Sequence, residues 1–424
     1  MIVRTKGIKW FFLILLCFLY IYNPAFSPIS TMHFVAGISI LIIATKLGKA
    51  KQIVNVVSPA ICLLILMLFY RVIIVLTSRA TILSAVFDPL VMILELIPSS
   101  IAIVLVAKDE NYSLEGVITG AVLLQDVLAI AAMFLPGFKN AIISIMLRSG
   151  YNEIVSFMQR HRMYGFSYTM PYGLPVAQSC IAVMFLFNAL RRKNTIANLL
   201  MFLLTSISAV LNARISLGII GIGITFTLLY AVFSKRVLNP KIGFIAVITI
   251  AAISIGINVL SELMPATFVW LQEGIDDILN ALTRQDYGRT SYMAYATNID
   301  NYRLPDGWKI FFGTGQITRD NAVYNSDVGY INDIWLGGMI YLTMVFSLGM
   351  HMLKRIYRSF STKYKENGEC FFRISFLIVA LLVANIKGRV FYENEIMNTI
   401  FLVYVWASLS SISSRIYKTC QQEN

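Results

Sequence analysis

Residues 53–76 read IVNVVSPAICLLILMLFYRVIIVL, an apolar run interrupted by one charged residue, Arg71. About 20 such residues cross a ~30 Å hydrocarbon layer, and backbone groups in lipid must be satisfied within the segment, so the run reads as a membrane-spanning helix. Comparable runs stand on both sides of it. Upstream are Trp10–Tyr22, which ends at Asn23-Pro24, and Phe34–Thr45, which is followed by Lys46, Lys49 and Lys51. Downstream are Pro89–Ala107 with Glu95, Val117–Leu135 with Asp126, Leu174–Leu190, Ile196–Leu211, Ile215–Phe233, Ile242–Leu260, Val328–Met350, Phe371–Ile386 and Ile396–Ile412. The expected fold is an all-α polytopic membrane protein of about twelve transmembrane helices, with residues 1–424 forming one integral membrane domain. The runs are continuous and lack period-two alternation, which argues against a transmembrane barrel.

Composition agrees. The chain is 58% hydrophobic and 13% charged, too apolar for one soluble core. Its net charge of +13 would suggest nucleic acid in a soluble protein, but here basic loops that fix membrane orientation account for it, and no nucleic-acid partner is expected. Arg4, Lys6 and Lys9 precede the first run as in a signal peptide; the spans that follow at once favour an uncleaved first helix. Cys17, Cys62, Cys180, Cys370 and Cys420 lack paired spacing and the three histidines are scattered, so neither a disulfide framework, a metal site nor a cofactor is expected.

Twelve spans put both termini in the cytoplasm, with the basic turns on that side. Two polar segments then fall outside, residues 136–173 and 261–327. The second is the longest polar interruption in the chain and lies between the ninth and tenth spans. Phe268, Leu271, Ile275, Ile278, Leu279 and Leu282 within it fall at helical spacing and predict an amphipathic helix on the bilayer surface. The external segments hold few lysines, yet they hold Arg148, Arg160, Arg162, Arg284, Arg289, Arg303 and Arg319, and Arg214 stands between two spans. Topology disfavours positive charge there, whereas guanidinium suits a bidentate grip on phosphate. Pairing with external carboxylates is the plainer reading.

Four groups could carry chemistry. Arg160 and Arg162 lie before the turn Met170-Pro171-Tyr172-Gly173, at headgroup level. Arg214 sits in Leu211-Asn212-Ala213-Arg214-Ile215-Ser216, where an arginine needs a partner, a wet cavity or a snorkelling path. Arg289 follows Tyr287-Gly288 and is expected to begin a short helix, whose N-terminus would add anion donors. Asp327, with Asp333 two turns into the tenth span, could act as a general base or simply cap and pair. Phe312-Gly313-Thr314-Gly315-Gln316 is a glycine turn without Walker spacing. Tyr292, Trp308 and Tyr324 could stack on sugars or form an interfacial aromatic belt. Glu95 and Asp126 are expected to pair structurally, Glu95 with Arg71 among the options.

In these residues the chain resembles the Wzy-type polysaccharide polymerases of the O-antigen ligase and polymerase superfamily. Arg162 to Pro171 resembles that family's Arg-x-x-Gly-Phe…Pro loop, and Arg162 to Gly173 its Arg-x10-Gly pattern. Arg214-Ile215-Ser216 resembles the mid-chain arginine before a span. Arg289 opens the loop, and Gly313-Thr314-Gly315 followed by Asp327 to Gly338 resembles its exit. Ligases carry a histidine near that exit, where Ser326 and Asp327 stand here. The resemblance implies metal-independent glycosyl transfer at the outer leaflet of a bacterial inner membrane. The donor would be an oligosaccharide on undecaprenyl diphosphate, and the acceptor the non-reducing end of another lipid-linked repeat unit. Arg160, Arg162, Arg214 and Arg289 would hold the diphosphate, Asp327 and Arg289 would be catalytic, and Tyr292, Tyr324 and Trp308 would touch sugar. Membrane lipids and a chain-length regulator are the partners it suggests. A flippase for lipid-linked oligosaccharide and an O-antigen ligase are the alternatives.

Overall fold

The structure is a computed structural model. It describes residues 2–24, 30–78, 84–148, 165–167, 172–191, 194–234, 258, 261–262, 265–283, 298–318, 326–363, 367–391 and 394–422. Every regular element among them is helical. In chain order these are α1 (Ile2–Tyr22), α2 (Thr31–Thr45), α3 (Leu47–Ser78), α4 (Ser84–Val91), a π-helical turn Met92–Leu96, α5 (Ile97–Asp109), α6 (Leu114–Phe134) and α7 (Pro136–Arg148). There follow α8 (Gly173–Leu190), α9 (Thr195–Asn212), α10 (Ile215–Phe233), α11 (Pro265–Thr283), a 3-10 turn Ile299–Tyr302, the single turn α12 (Lys309–Phe312), α13 (Gly329–Lys363), α14 (Asn367–Ala384) and α15 (Glu395–Gln422).

Among the described residues, seven helices are long and apolar enough to cross a membrane: Leu47–Ser78, Pro89–Asp109, Leu114–Phe134, Gly173–Leu190, Thr195–Asn212, Ile215–Phe233 and Gly329–Ser361. Thr31–Thr45 and Glu395–Ser410 are shorter apolar helices. The expected first and eleventh spans coincide with α1 and α14, and the ninth lies outside the described residues.

Local chemistry sets the helix starts. The Ser113 hydroxyl accepts from Gly116 N at 3.1 Å to open α6. Asn394 Oδ1 accepts from both Ile396 N and Met397 N at 3.1 Å to open α15. Burial then ranks the helices. α8 is covered on nearly every side, with small residues Ala177, Ser179, Cys180 and Ala182 letting neighbours approach closely. α15 packs against α13, α5, α8, α3 and α1. α3, by contrast, turns Phe69, Ile73 and Leu76 outward. These faces suit lipid, and packing rather than exclusion of water holds such a bundle together.

The two ends of the bundle carry different polar sets. At one end Lys9 pairs with Glu110 at 2.6 Å, Lys46 and Lys49 with Asp109 at 2.5 and 2.6 Å, and Arg373 reaches Asn188 at 2.7 Å, which bonds Glu115 at 3.0 Å. Lys108 lies 4.1 Å from the Trp406 ring centre. These are all residues of the expected cytoplasmic turns or the helix ends beside them. The opposite end carries Asn23, the 165–167 segment, Tyr172, Arg214, the start of α13 and the 385–395 turn.

The amphipathic helix of the long polar stretch is present as α11, whose 19 residues include the expected positions. The first external segment begins as the helix α7, packed on α6, not as an open loop. α13 is broken: Gly338 adopts φ 71°, and the turn after α12 seats in that break. Thr314 N donates to Trp335 O at 2.6 Å and Gly315 N to Leu336 O at 3.2 Å. The approach leaves no room for a side chain, since a Cβ on Gly338 would sit 2.0 Å from the Phe311 carbonyl oxygen. Thus the glycine turn Phe312-Gly313-Thr314-Gly315 serves helix–loop docking.

Candidate functional site at the loop-bearing end

The start of α13 is anchored by buried hydrogen bonds. Thr318, Ser326 and Asn332 are buried and knit the loop exit together. Thr318 N donates to Asn332 Oδ1 at 3.0 Å, Asn332 Nδ2 donates to Ser326 O at 2.8 Å, and Ser326 Oγ donates to Asn301 O at 2.8 Å. Asp327 is held between these anchors. Its carboxylate is about one-third exposed and faces the Lys387 ammonium at 3.6 Å. Asp333 sits one helical turn into α13, not two, and is nearly closed off from solvent. Arg389 Nε donates to its Oδ1 at 2.8 Å. The two acids therefore differ in kind: Asp333 is committed to a buried ion pair, while Asp327 remains open enough to meet a substrate hydroxyl.

Lys387 and Arg389 come from a turn clamped by its neighbours. Tyr172 Oη lies 2.6 Å from Ala384 O and 2.7 Å from Gly388 O. Gly329 N donates to Asn385 O at 2.9 Å, and Val390 N to Asn385 Oδ1 at 3.0 Å. The Ser167 hydroxyl donates to Glu395 at the start of α15, and Phe166 N donates to Gln125 Oε1 at 3.2 Å. The segment following Arg162 is thus tied to α6 and α15 through Phe166 and Ser167.

Arg214 forms the second part. It stands in the corner between α9 and α10, and Ser216 Oγ at the start of α10 lies 3.4 Å from Pro175 O on α8, so the corner belongs to the same end as Tyr172. The Arg214 guanidinium lies 4.9 Å over the Trp270 ring of α11 and pairs with Glu273 of the same helix. Gly274 passes close enough that a Cβ there would lie 2.9 Å from Arg214 Cδ. The long polar stretch therefore covers Arg214, and the observed partner is a carboxylate of that stretch. Glu273 is 62% exposed at its side chain and can swing to solvent, whereas Arg214, at 21%, is fixed by its stack.

Trp308 is 78% exposed, beside Phe311, and meets neither Arg214 nor Asp327 in the contacts of its short helix. Arg160, Arg162, Arg289, Tyr292 and Tyr324 lie outside the described residues, as do Arg284 and Arg319. Lys387, Arg389, Trp270 and Glu273 were not singled out in the sequence. For the first two the signal was available: both are cations in the short polar break between the apolar runs Phe371–Ile386 and Ile396–Ile412. For Trp270 and Glu273 only the fold of α11 against Arg214 makes the association.

Within the bundle the acids are paired, though Glu95 not with Arg71. His33 Nδ1 stands 2.8 Å from Glu95 Oε1 at the π-helical turn, while Arg71 lies 4.8 Å from the Tyr341 ring centre. Asp126 accepts from Gln178 Nε2 at 3.0 Å and Thr205 Oγ1 at 2.6 Å. Compared with protein-family models and with curated proteins, the chain matches neither.

Proposed function

We propose that the chain is a polysaccharide polymerase of a bacterial inner membrane, with its active site on the outer face. The observation that carries this reading is the Arg214 corner: an arginine fixed at the mouth of two apolar helices and roofed by a helix of the long polar stretch. Such a guanidinium, with an exposed carboxylate as its exchangeable partner, suits a diphosphate at the membrane surface. Lys387 beside Asp327 adds a second cation at that end.

In the proposed reaction a hydroxyl at the non-reducing end of one lipid-linked repeat unit attacks the anomeric carbon of another glycan. The bond from that carbon to the undecaprenyl diphosphate oxygen breaks. Asp327 takes the hydroxyl proton, and Arg214, with Arg160, Arg162 and Arg289, holds the charge growing on the leaving diphosphate. Charge-assisted bonds of this kind contribute about 1.5–3 kcal/mol each. Glu273 must release Arg214 for the donor to enter, and a chain-length regulator is a candidate partner on the outer face.

The test is the glycan profile of cells carrying Arg214→Ala or Arg289→Ala. Long chains should vanish while single repeat units and protein level persist. Arg162→Lys should fail likewise, because an ammonium lacks the bidentate fork. Long chains in the Arg214 and Arg289 variants would refute the assignment. One observation favours a second reading, a proton-coupled flippase: the buried Glu95 paired with the exposed His33. Loss of a flippase removes even single units from the outer face. Ligase loss would instead leave long chains on the carrier.

A further inference from the structure

A cleft of about 470 Å³ opens between the end of α3, the turn α12 and the first turns of α13. Its polar lining comes from Thr77, Ser78, Lys309, Thr314 and Gln316, and Trp335 lines it as well. We propose that this cleft is a glycan subsite that takes the sugar portion of a membrane-anchored glycolipid. The choice of glycan rests on the polymerase reading; the cleft itself rests on the observations that follow.

The hydrogen-bonding inventory fits sugar better than phosphate. Thr77 Oγ1 donates to Ile73 O at 2.9 Å, and Thr314 Oγ1 donates to Trp335 O at 2.8 Å. The Thr77 hydroxyl is left to accept and Thr314 Oγ1 accepts from Gln316 N at 3.4 Å, while Lys309 only donates and the Gln316 amide does both. A phosphate wants donors alone. A sugar presents hydroxyls that donate and accept in turn. Trp335 supplies the apolar part: it lines the cleft while its indole N–H is committed to Arg303 O at 2.9 Å, so what it presents there is carbon, suited to the C–H face of a pyranose. No carboxylate is among the described lining residues, and Lys309 favours a neutral or acidic sugar over an amino sugar.

The position favours a tethered occupant. α3 is about 48 Å long at ~1.5 Å per residue, more than a ~30 Å hydrocarbon layer, so its last turn reaches the polar region. Trp308, Phe311 and Ile299 are exposed around α12 and suit the membrane interface. The cleft is thereby kept at the bilayer surface. Asp333 and Trp335 project from the same helix two residues apart, about 200° around it, so the cleft lies on the side of α13 away from Arg389. A polymerase needs two glycans at once, and this arrangement gives the second its own place.

The experiment measures binding to the full chain in nanodiscs with two probes. One is the host's repeat-unit oligosaccharide, released from its carrier by mild acid; the other is undecaprenyl diphosphate without sugar. The oligosaccharide dissociation constant should rise at least tenfold in Trp335→Leu, Lys309→Ala and Thr77→Val, and stay unchanged in Lys49→Ala at the opposite end of the bundle. Thermal melts identify any variant that fails to fold, and the remaining ones then decide. The diphosphate lipid should bind the three cleft variants normally. Equal oligosaccharide binding by folded cleft variants, no oligosaccharide binding by the wild type, or diphosphate binding weakened by Lys309→Ala would each overturn the proposal. Should Arg214→Ala still make long chains while Trp335→Leu loses oligosaccharide, the diphosphate site would be wrong and the cleft would stand.

Discussion

Arg389 and Asp333 show how much one pair decides at this end. Both are mostly removed from solvent, and the pair pins the 385–395 turn to α13. Removing one partner of such a pair leaves a charge without compensation, at a cost of about 3–5 kcal/mol. Arg389→Ala should therefore lower the thermal midpoint in detergent by several degrees. The double variant Arg389→Ala with Asp333→Ala should lose less than the two single losses combined; simple additivity would mean the pair is not coupled. Lys139 gives a pH prediction. Burial on α7 lowers its ammonium pKa from 10.5 to about 8. An amine-reactive reagent should label it with a midpoint near pH 8, well below an ordinary lysine. The folded state binds that proton less tightly than the unfolded chain, so this group's penalty is full below about pH 8 and fades as pH rises toward 10.5.

Among the elements, α13 and the turn that docks into it are the most exposed to a single change. Gly338→Ala asks an L-residue to hold φ 71° and places a methyl against the Phe311 carbonyl. A loss of at least about 2 kcal/mol is expected from the backbone conformation and the clash together. Limited proteolysis should then cut within residues 298–318 sooner than in the wild type; an unchanged pattern would show that the turn does not depend on the break. The glycines of this turn were visible in the sequence, but their role was not. Gly313-Thr314-Gly315 has the look of an anion loop, and only its contact with Trp335 O and Leu336 O shows where its backbone donors go. α11 was legible as a helix because its apolar positions repeat at helical spacing. Its pairing with Arg214 was not, since Trp270 and Glu273 carry no periodic signal.

For the whole molecule the question is which end faces which compartment. Single cysteines at Thr283 and at Ser361, in a background lacking the native cysteines, should react from opposite sides of the membrane with an impermeant thiol reagent. Thr283 should react from outside. Labelling of both from one side would break the proposed arrangement and the active site with it. The order and length of the apolar runs determined, by themselves, that the described chain is helical and where its seven long apolar helices lie, because a segment with no water around it must close its own backbone hydrogen bonds. The alternation of basic turns supplied the expected orientation. What tertiary structure alone decided is which polar residues meet: Glu95 with His33 and not Arg71, Asp333 with Arg389, Arg214 beneath Trp270. The reason is that a lone buried polar side chain advertises its need for a partner in the sequence, but the partner comes from a distant helix. Which helix arrives is fixed by packing across the bundle, to which no local pattern has access.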